Sequence, residues 1–201
     1  MKCIMDEFKT INSPNRASIK VKGSTFTAYL LPVQSKESFM AQLDFLKSQE
    51  KGANHYCWAY RINPLSPEER GNDDGEPSNT AGAPILRVLK SNDLWNSAIV
   101  VVRYFGGTKL GVPGLISAYG DAASETLSSA TIIRQTITKT FKVNFEYAQI
   151  SFVERICKIE NLEVIDREQG VKLSYTISVI QSKFEEIKEQ FESNHLLTVT
   201  H

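Results

Sequence analysis

Residues 100–120 read Val-Val-Val-Arg-Tyr-Phe-Gly-Gly-Thr-Lys-Leu-Gly-Val-Pro-Gly-Leu-Ile-Ser-Ala-Tyr-Gly. Residues 98–104 are apolar on both faces, which is typical of a central strand, and we predict one there. A loop with four glycines and one lysine follows, and Pro113 then comes just before a helix predicted over residues 115–130. Together with a second polar loop upstream, this loop indicates a binding or catalytic surface.

The sequence upstream of this stretch predicts a sheet with one further helix. Alternating apolar residues and helical spacing indicate a strand pair, a helix and an aromatic-rich strand, over residues 18–32, 36–50 and 53–62. Gly23 is the predicted turn of the strand pair, and Ser35 is the predicted N-cap of the helix. We expect residues 63–71 to form an exposed, proline-containing excursion, and residues 84–89 are a short apolar run.

The pattern changes near residues 132–138, where we place a domain boundary. The predicted order downstream is strand, helix, strand, strand, helix and strand, over residues 135–148, 149–160, 162–167, 171–180, 182–193 and 196–200. This order is the ferredoxin-like βαββαβ pattern. We therefore expect an N-terminal domain over residues 1–135 and a ferredoxin-like C-terminal domain over residues 136–201.

Charge and cysteine content narrow the class of protein. Lys and Arg total 23, and Asp and Glu also total 23, so any nucleic-acid surface has to be a local patch. Cys3, Cys57 and Cys157 are odd in number and widely spaced, which disfavours a disulfide framework and fits a reducing compartment. Residues 1–10 lack an apolar signal-peptide core, and no apolar run approaches about 18 residues. We expect a cytoplasmic protein without a membrane span.

The glycine-rich loop has two interpretations. Glycine permits positive φ and close backbone approach, and a loop at a helix start exposes amide N–H groups to an anion. Lys109 and Arg103 add positive charge, so phosphate binding is one interpretation. The spacing matches neither G-x-G-x-x-G nor G-x-x-x-x-G-K-[ST]. A tight strand-to-helix connection, with the glycines present for packing, is the other interpretation.

A second polar loop, residues 72–84, reads Asn-Asp-Asp-Gly-Glu-Pro-Ser-Asn-Thr-Ala-Gly-Ala-Pro. Asp73, Asp74 and Glu76 could bind a cation or act as acid and base, although the spacing is not that of an EF-hand. Turn formation is the alternative role, because Asp-Gly and Glu-Pro favour turns. No metal or other cofactor is predicted.

The two loops are expected to lie side by side, because neither has enough apolar residues to stabilise itself. Buried amides need partners, and the three carboxylates are acceptors only. We expect them to accept hydrogen bonds from Gly106, Gly107 and Thr108 and to leave Lys109 facing a shallow cleft. On this view Asp74→Ala destabilises the domain by roughly 1–3 kcal/mol.

A hydrolase is an alternative prediction, with Cys57 as nucleophile. His55 and Cys57 are two residues apart on a predicted strand, so they share one face. One of Asp73, Asp74 or Glu76 would complete the site. A small buried hydrophobic residue is the other interpretation of Cys57.

Three ordered motifs together resemble the IMPACT family, in its bacterial YigZ branch. The first is His55-x-Cys-Trp-Ala-Tyr-Arg61, and the second runs from Asp73 to Leu86 as Asp-Asp-Gly-Glu-Pro-Ser-x-Thr-Ala-Gly-x-Pro-Ile-Leu. The third is residues 100–115. Lys22-Gly-Ser-x-Phe26 fits as well, and the resemblance extends over the whole chain.

The resemblance implies a protein of the α+β class, with an N-terminal α+β domain like the second domain of a small-subunit ribosomal protein. It also implies a C-terminal domain like the last domain of elongation factor G. Eukaryotic IMPACT proteins regulate translation through a pathway that bacteria lack, and for the bacterial branch the domain folds suggest RNA or ribosome binding. The expected function is therefore a non-enzymatic RNA- or ribosome-associated protein and regulator of translation. A protein-interaction module, with a protein partner, is a further alternative. The expected binding residues are Arg61, Arg103, Gly106, Gly107, Thr108, Lys109 and Gly111. The sequence contains no signal for the oligomeric state.

Overall fold

The computed structural model describes residues 5–200 and divides into two compact units. One unit is Phe8–Gln135, and the other combines residues 5–7 with residues 136–200. The chain thus passes from one unit to the other between residues 135 and 136, but residues 5–7 belong with the second unit. The assignment of two domains, residues 1–135 and 136–201, stays a prediction.

The first unit is built on a five-stranded antiparallel sheet with the strand order β2-β3-β6-β4-β5. Its elements in chain order are β1 (Glu7–Ile11), β2 (Asn15–Val21), β3 (Ser24–Pro32), α1 (Lys36–Gln49), β4 (His55–Ile62), β5 (Glu68–Asn72), α2 (Gly82–Ser91), β6 (Ser97–Tyr104), α3 (Gly111–Ser128) and β7 (Ile132–Thr136). β1 and β7 form a separate two-stranded sheet. The predicted α+β class is confirmed.

Helices cover both faces of the five-stranded sheet. Side chains of α2 and α3, such as Ile85 and Tyr119, pack on one face, and Phe39 and Leu43 of α1 pack on the other. β6 is the middle strand and is buried from Ser97 to Arg103, as its apolar sequence predicts. The predicted N-cap of α1 is also confirmed, since Ser35 and Ser38 form a capping box.

Several element boundaries differ from the sequence prediction. The strand pair with a turn at Gly23 is present, but the exposed excursion contains the edge strand β5. The short apolar run belongs to α2, and α3 begins at Gly111, ahead of Pro113. These differences share one cause. β5, α2 and the first turn of α3 contain or adjoin glycine and proline, which indicate loops in a sequence, so these elements depend on their neighbours more than on their own propensity.

The second unit contains the predicted ferredoxin-like arrangement. Its elements are β8 (Thr138–Phe145), α4 (Ile150–Ile159), β9 (Glu163–Gln169), β10 (Leu173–Ile180), α5 (Phe184–Glu192) and β11 (Thr198–Thr200). The strands form an antiparallel sheet in the order β11-β8-β10-β9. Val153, Ile187 and Phe191 of the helices are buried with Phe141 and Ile177 of the sheet, so this unit has its own core.

The cysteines and helices agree with the sequence at the residues that can be described. Cys57 and Cys157 are free and buried, and Cys3 lies outside the described residues. Between residues 5 and 200, none of the helices has the length and apolar character needed to cross a bilayer.

Asp6 connects residues 5–7 with the rest of the second unit, and replacing its side chain tests that connection. Its backbone oxygen accepts a hydrogen bond from Ile137 N at 2.7 Å, and its carboxylate accepts from Ser182 N and Oγ at 2.8 and 2.6 Å. We expect Asp6→Ala to lower the free energy of unfolding by about 1 kcal/mol, because two donors at the start of a helical segment lose their acceptor. Urea unfolding followed by circular dichroism measures this.

Glu163→Ala, at an exposed carboxylate at the start of β9, is the matched control and should change stability by less than about 0.5 kcal/mol. Equal stabilities of Asp6→Ala and the control would contradict the assignment of residues 5–7 to this unit.

Candidate functional site

A cleft in the first unit lies between the two polar loops that the sequence singles out. We call residues 73–81, between β5 and α2, the acidic loop, and residues 105–110, between β6 and α3, the glycine loop. The cleft has a volume of about 360 Å³ and is lined by Glu76, Pro77, Arg103, Phe105, Lys109, Leu110, Gly111, Val112 and Leu115. The expected side-by-side arrangement of the loops, with Lys109 at a cleft, is confirmed.

Asp73 organises the acidic loop from within. Its carboxylate accepts hydrogen bonds from Asn79 N, Ala81 N and Gly82 N at 2.8 to 2.9 Å. Two of these amides lie at the start of α2, where a helix leaves its first N–H groups without intrahelical partners. Asn79 has a φ of 63°, in the left-handed region that asparagine tolerates. The role of Asp73 is therefore to close a turn and cap a helix.

Asp74 joins the acidic loop to β4. Its carboxylate accepts a hydrogen bond from Tyr56 N at 2.7 Å, and its carbonyl oxygen lies 2.8 Å from Nδ1 of His55. Its own N–H donates to Asn72 Oδ1 at 2.8 Å. Asp74 and Gly75 both have positive φ, as a tight turn requires. Like Asp73, Asp74 serves the structure of its own loop.

Glu76 connects the acidic loop with β6 and α3. Its side chain is 4% exposed, and Oε1 accepts hydrogen bonds from Nη1 of Arg103 and from the hydroxyl of Tyr119. Nε2 of His55 lies 3.9 Å from the same oxygen. The buried negative charge is thus paired with a buried guanidinium, as burial of a charge demands.

The expectation that the acidic side chains accept hydrogen bonds from the glycine loop is wrong. Gly106 N donates to Ser24 Oγ at 3.1 Å, and Phe105 N donates to Asn54 Oδ1 at 2.8 Å. Asp73 and Asp74 are instead satisfied by amides of their own loop, α2 and β4. The amides that bond to Asp73 lie within nine residues of it, so they reach its carboxylate with less loss of backbone entropy than amides of the glycine loop do.

The glycines of the glycine loop have two separate structural roles. A Cβ on Gly106 would lie 1.9 Å from the carbonyl carbon of Gly23, so the two backbones touch and only glycine fits. Gly107 and Gly111 have open space around them but φ values of 86° and 74°. The sequence-based interpretation of a tight strand-to-helix connection therefore holds for these positions. Thr108 and Lys109 lie between these two glycines and are exposed, so this interpretation does not explain them.

The first turn of α3 forms one rim of the cleft. Its N-cap residue, Leu110, makes no side-chain hydrogen bond to the helix. The first N–H groups of an α-helix lack intrahelical partners and carry partial positive charge. Lys109 lies next to them in sequence and in the cleft lining. This rim is the part of the site with the chemistry of an anion-binding surface.

Arg103 lies at the inner side of the cleft. Its side chain is 7% exposed, and its guanidinium carbon lies 5.5 Å from the ring centroid of Phe105. Nη1 is bonded to Glu76, but Nε is buried and has no hydrogen-bond partner among the described groups. A buried donor without an acceptor is costly to stability.

Arg61 is not part of this site, and its prediction as a binding residue is wrong. In the register of β4 with β6, Arg61 faces Ser97 while His55 faces Arg103, about 20 Å along the strands. Its Nε donates to Glu69 at 2.8 Å, and its guanidinium lies 3.8 Å from the Trp95 ring centroid. Arg61 is thus a buried structural residue at the other end of the sheet.

The hydrolase prediction fails at its nucleophile. Cys57 is fully buried, with Sγ 2.9 Å from the Asp73 carbonyl oxygen that accepts its hydrogen bond and 3.3 Å from the hydroxyl of Tyr119. Burial raises the pKa of the Cys57 thiol, and the negative charges of Glu76 and Asp74 raise it further. His55 shares its face, as predicted, but is engaged with the acidic loop. The other interpretation, a small buried hydrophobic residue, is the correct one.

Sequence reasoning missed several residues that line the cleft, namely Phe105, Pro77, Leu110, Val112 and Leu115. Phe105 is 47% exposed and directly follows a buried strand. An aromatic side chain at the junction of a central strand and a glycine-rich loop was the available signal.

Within residues 5–200, no group of three or more His, Cys, Asp or Glu side chains is arranged to hold a metal ion.

The fold and the site define a two-unit α+β protein with a cleft between the acidic loop and the glycine loop of its first unit. Residues 22–127, more than half of the chain, match the Impact N-terminal domain family. The chain belongs to the IMPACT family.

Individual relatives agree with this assignment. The IMPACT family member YvyE of Bacillus subtilis is 34% identical over 151 residues, which are 75% of this chain and 70% of that protein. The IMPACT family member YigZ of Escherichia coli is 32% identical over 139 residues, 68% of each chain. A crystal structure described as that of a hypothetical protein matches with a TM-score of 0.73 at 25% identity and covers 98% of both chains.

Replacement of Asp73 tests its structural role. We expect Asp73→Ala to lower the free energy of unfolding by about 2 kcal/mol, because three amides lose their acceptor. Asp121→Ala, at an exposed position of α3, is the control and should be nearly neutral. Thermal and urea denaturation of both variants give the comparison, and a neutral Asp73→Ala would refute the capping role.

Thiol labelling tests the burial of Cys57. We expect Cys57 in the native protein to react at least about 100-fold more slowly than in the urea-unfolded chain, because only an exposed thiolate reacts. Since burial raises its pKa, the reaction should stay slow even near about pH 9, above the usual thiol pKa of about 8.5. Mass spectrometry of labelled peptides identifies the cysteine, and similar native and unfolded rates would restore it as a candidate nucleophile.

Proposed function

We propose that this protein is a cytoplasmic, translation-associated factor that binds RNA, free or within the ribosome, and that it has no catalytic role. Family membership supports the connection with translation, since the IMPACT resemblance implies regulators of translation. The observation that carries the proposal for RNA is the rim of the cleft, where exposed Lys109 adjoins the uncapped first turn of α3.

The rim has the chemistry of a phosphate contact. A helix N-terminus offers N–H donors and partial positive charge, and a neighbouring lysine adds a full charge. Thr108 and the amides of Gly107 and Gly111 lie in or next to the same loop and supply further donors. The protein as a whole is neutral, so this proposal rests on a local patch and not on general attraction to RNA.

Arg103 has a different place in this proposal from Lys109. Its charge is balanced by Glu76 in a buried ion pair, so it adds little net attraction for phosphate. Lys109 is the cation left facing solvent among the residues that line the cleft. The proposal therefore assigns the salt-dependent part of RNA binding to Lys109.

Salt dependence gives a direct measurement of this assignment. Binding of fluorescent RNA at two or more salt concentrations should show affinity falling with salt, since phosphate contacts release counterions. We expect Lys109→Ala to weaken binding and to reduce the slope of log affinity against log salt by about 1. Cosedimentation with ribosomes at low salt provides the second assay.

Lys51→Ala is the matched control, because Lys51 is an exposed lysine of the same unit in the turn after α1. It should leave both the affinity and the salt slope unchanged. If the unmodified protein binds neither RNA nor ribosomes at low salt, the proposed function is wrong. If Lys109→Ala and Lys51→Ala behave alike, the assignment to the rim is wrong.

A further inference from the structure

The cleft contains more than the phosphate contact of its rim requires, because its walls are mostly apolar. Phe105 and Val112 are 47% and 51% exposed, and Leu110, Leu115 and Pro77 complete the lining. A surface that bound only phosphate would have no use for an exposed aromatic ring and three aliphatic side chains. The walls therefore fit the apolar body of a ligand whose anionic group lies at the rim.

Phe105 is held in place by the backbone around it. Its N–H donates to Asn54 Oδ1 at 2.8 Å, and Asn54 N in turn donates to the carbonyl oxygen of Arg103 at 2.9 Å. The guanidinium of Arg103 lies on its ring at 5.5 Å. An exposed ring fixed in this way is a stacking platform that loses little entropy when a planar group binds to it.

These two requirements, a flat apolar body and an anionic group, point to one chemical class. We infer that the cleft binds a single nucleoside phosphate unit, with the base on Phe105 and the phosphate at Lys109 and the first turn of α3. Every nucleobase has a flat face, so the cleft recognises an unpaired base with little preference for its identity.

The volume of the cleft agrees with a single unit. About 360 Å³ lies at the lower end of small-molecule sites, which span roughly 300–1,000 Å³. A base stacked within a duplex cannot reach the Phe105 ring, because both of its faces are covered. An unpaired nucleotide of an RNA chain or a free nucleotide can reach it. The choice of RNA as the source rests on the proposed function, whereas the chemistry of the cleft does not.

Phe105 offers a set of substitutions that separates stacking from other effects. We expect Phe105→Ala to weaken binding of a single-stranded hexanucleotide RNA by about tenfold, in the range for loss of one base–aromatic stack. Phe105→Tyr keeps the ring and should keep the affinity. Phe45→Ala, at an exposed phenylalanine of α1, is the control for general loss of aromatic surface and should have no effect. Fluorescence anisotropy with the full chain measures all three.

Two further ligands identify the source of the unit. A duplex of the same sequence should bind more weakly than the single strand and be insensitive to Phe105→Ala. The four nucleoside monophosphates, titrated separately, should shift the ring resonances of Phe105 in NMR spectra. Each of these results supports the inference, and circular dichroism confirms that the variants are folded.

The outcomes separate this inference from the proposed function. If single and double strands bind equally and Phe105→Ala has no effect while Lys109→Ala weakens both, the nucleotide cleft is wrong and the proposed function stands. If no RNA binds but monophosphates bind in a Phe105-dependent way, the cleft assignment stands with free nucleotide as its ligand and the proposed function fails. If neither RNA nor monophosphates bind, both are overturned.

Discussion

The buried carboxylate of Glu76 is the interaction on which the candidate site depends. It accepts hydrogen bonds from Arg103 of β6 and Tyr119 of α3, and so connects the acidic loop with the strand and the helix that flank the glycine loop. A buried charge is tolerated only when it is paired, and loss of one partner leaves the other uncompensated. The position of one wall of the cleft against the other is therefore coupled to this ion pair.

The two loops that looked equally functional in sequence have different roles. The acidic loop is mainly structural, since Asp73 and Asp74 satisfy backbone amides of the loop, α2 and β4. The glycine loop combines a structural part, where Gly106 contacts the backbone of Gly23, with an exposed part at Lys109 that lines the cleft. Function is best sought where polar groups are left without a structural task.

Segments with a clear periodic pattern were predicted well, and segments that contain or adjoin glycine and proline were not. The pattern of residues 98–104 identified the central strand, and the alternation after residue 135 identified the ferredoxin-like order. β5 and α2 were missed because glycine and proline in or next to them indicate loops, and each is stabilised by contacts with β4 that no local pattern records. At the site, the residue types identified Arg103 and Lys109 but also suggested Arg61, which lies at the far end of the sheet.

The sequence by itself determined the family, the α+β class, and the two loops that surround the cleft, because these follow from local patterns and ordered motifs. Only the tertiary structure decided which polar side chains are free. Cys57 and Arg61 are residue types that often act in functional sites, but both are buried and take no part in the candidate site. Phe105 is exposed and is therefore able to contact a ligand. Burial and partner choice depend on contacts between segments far apart in the chain, as between Glu76 and Arg103, and no spacing rule encodes them.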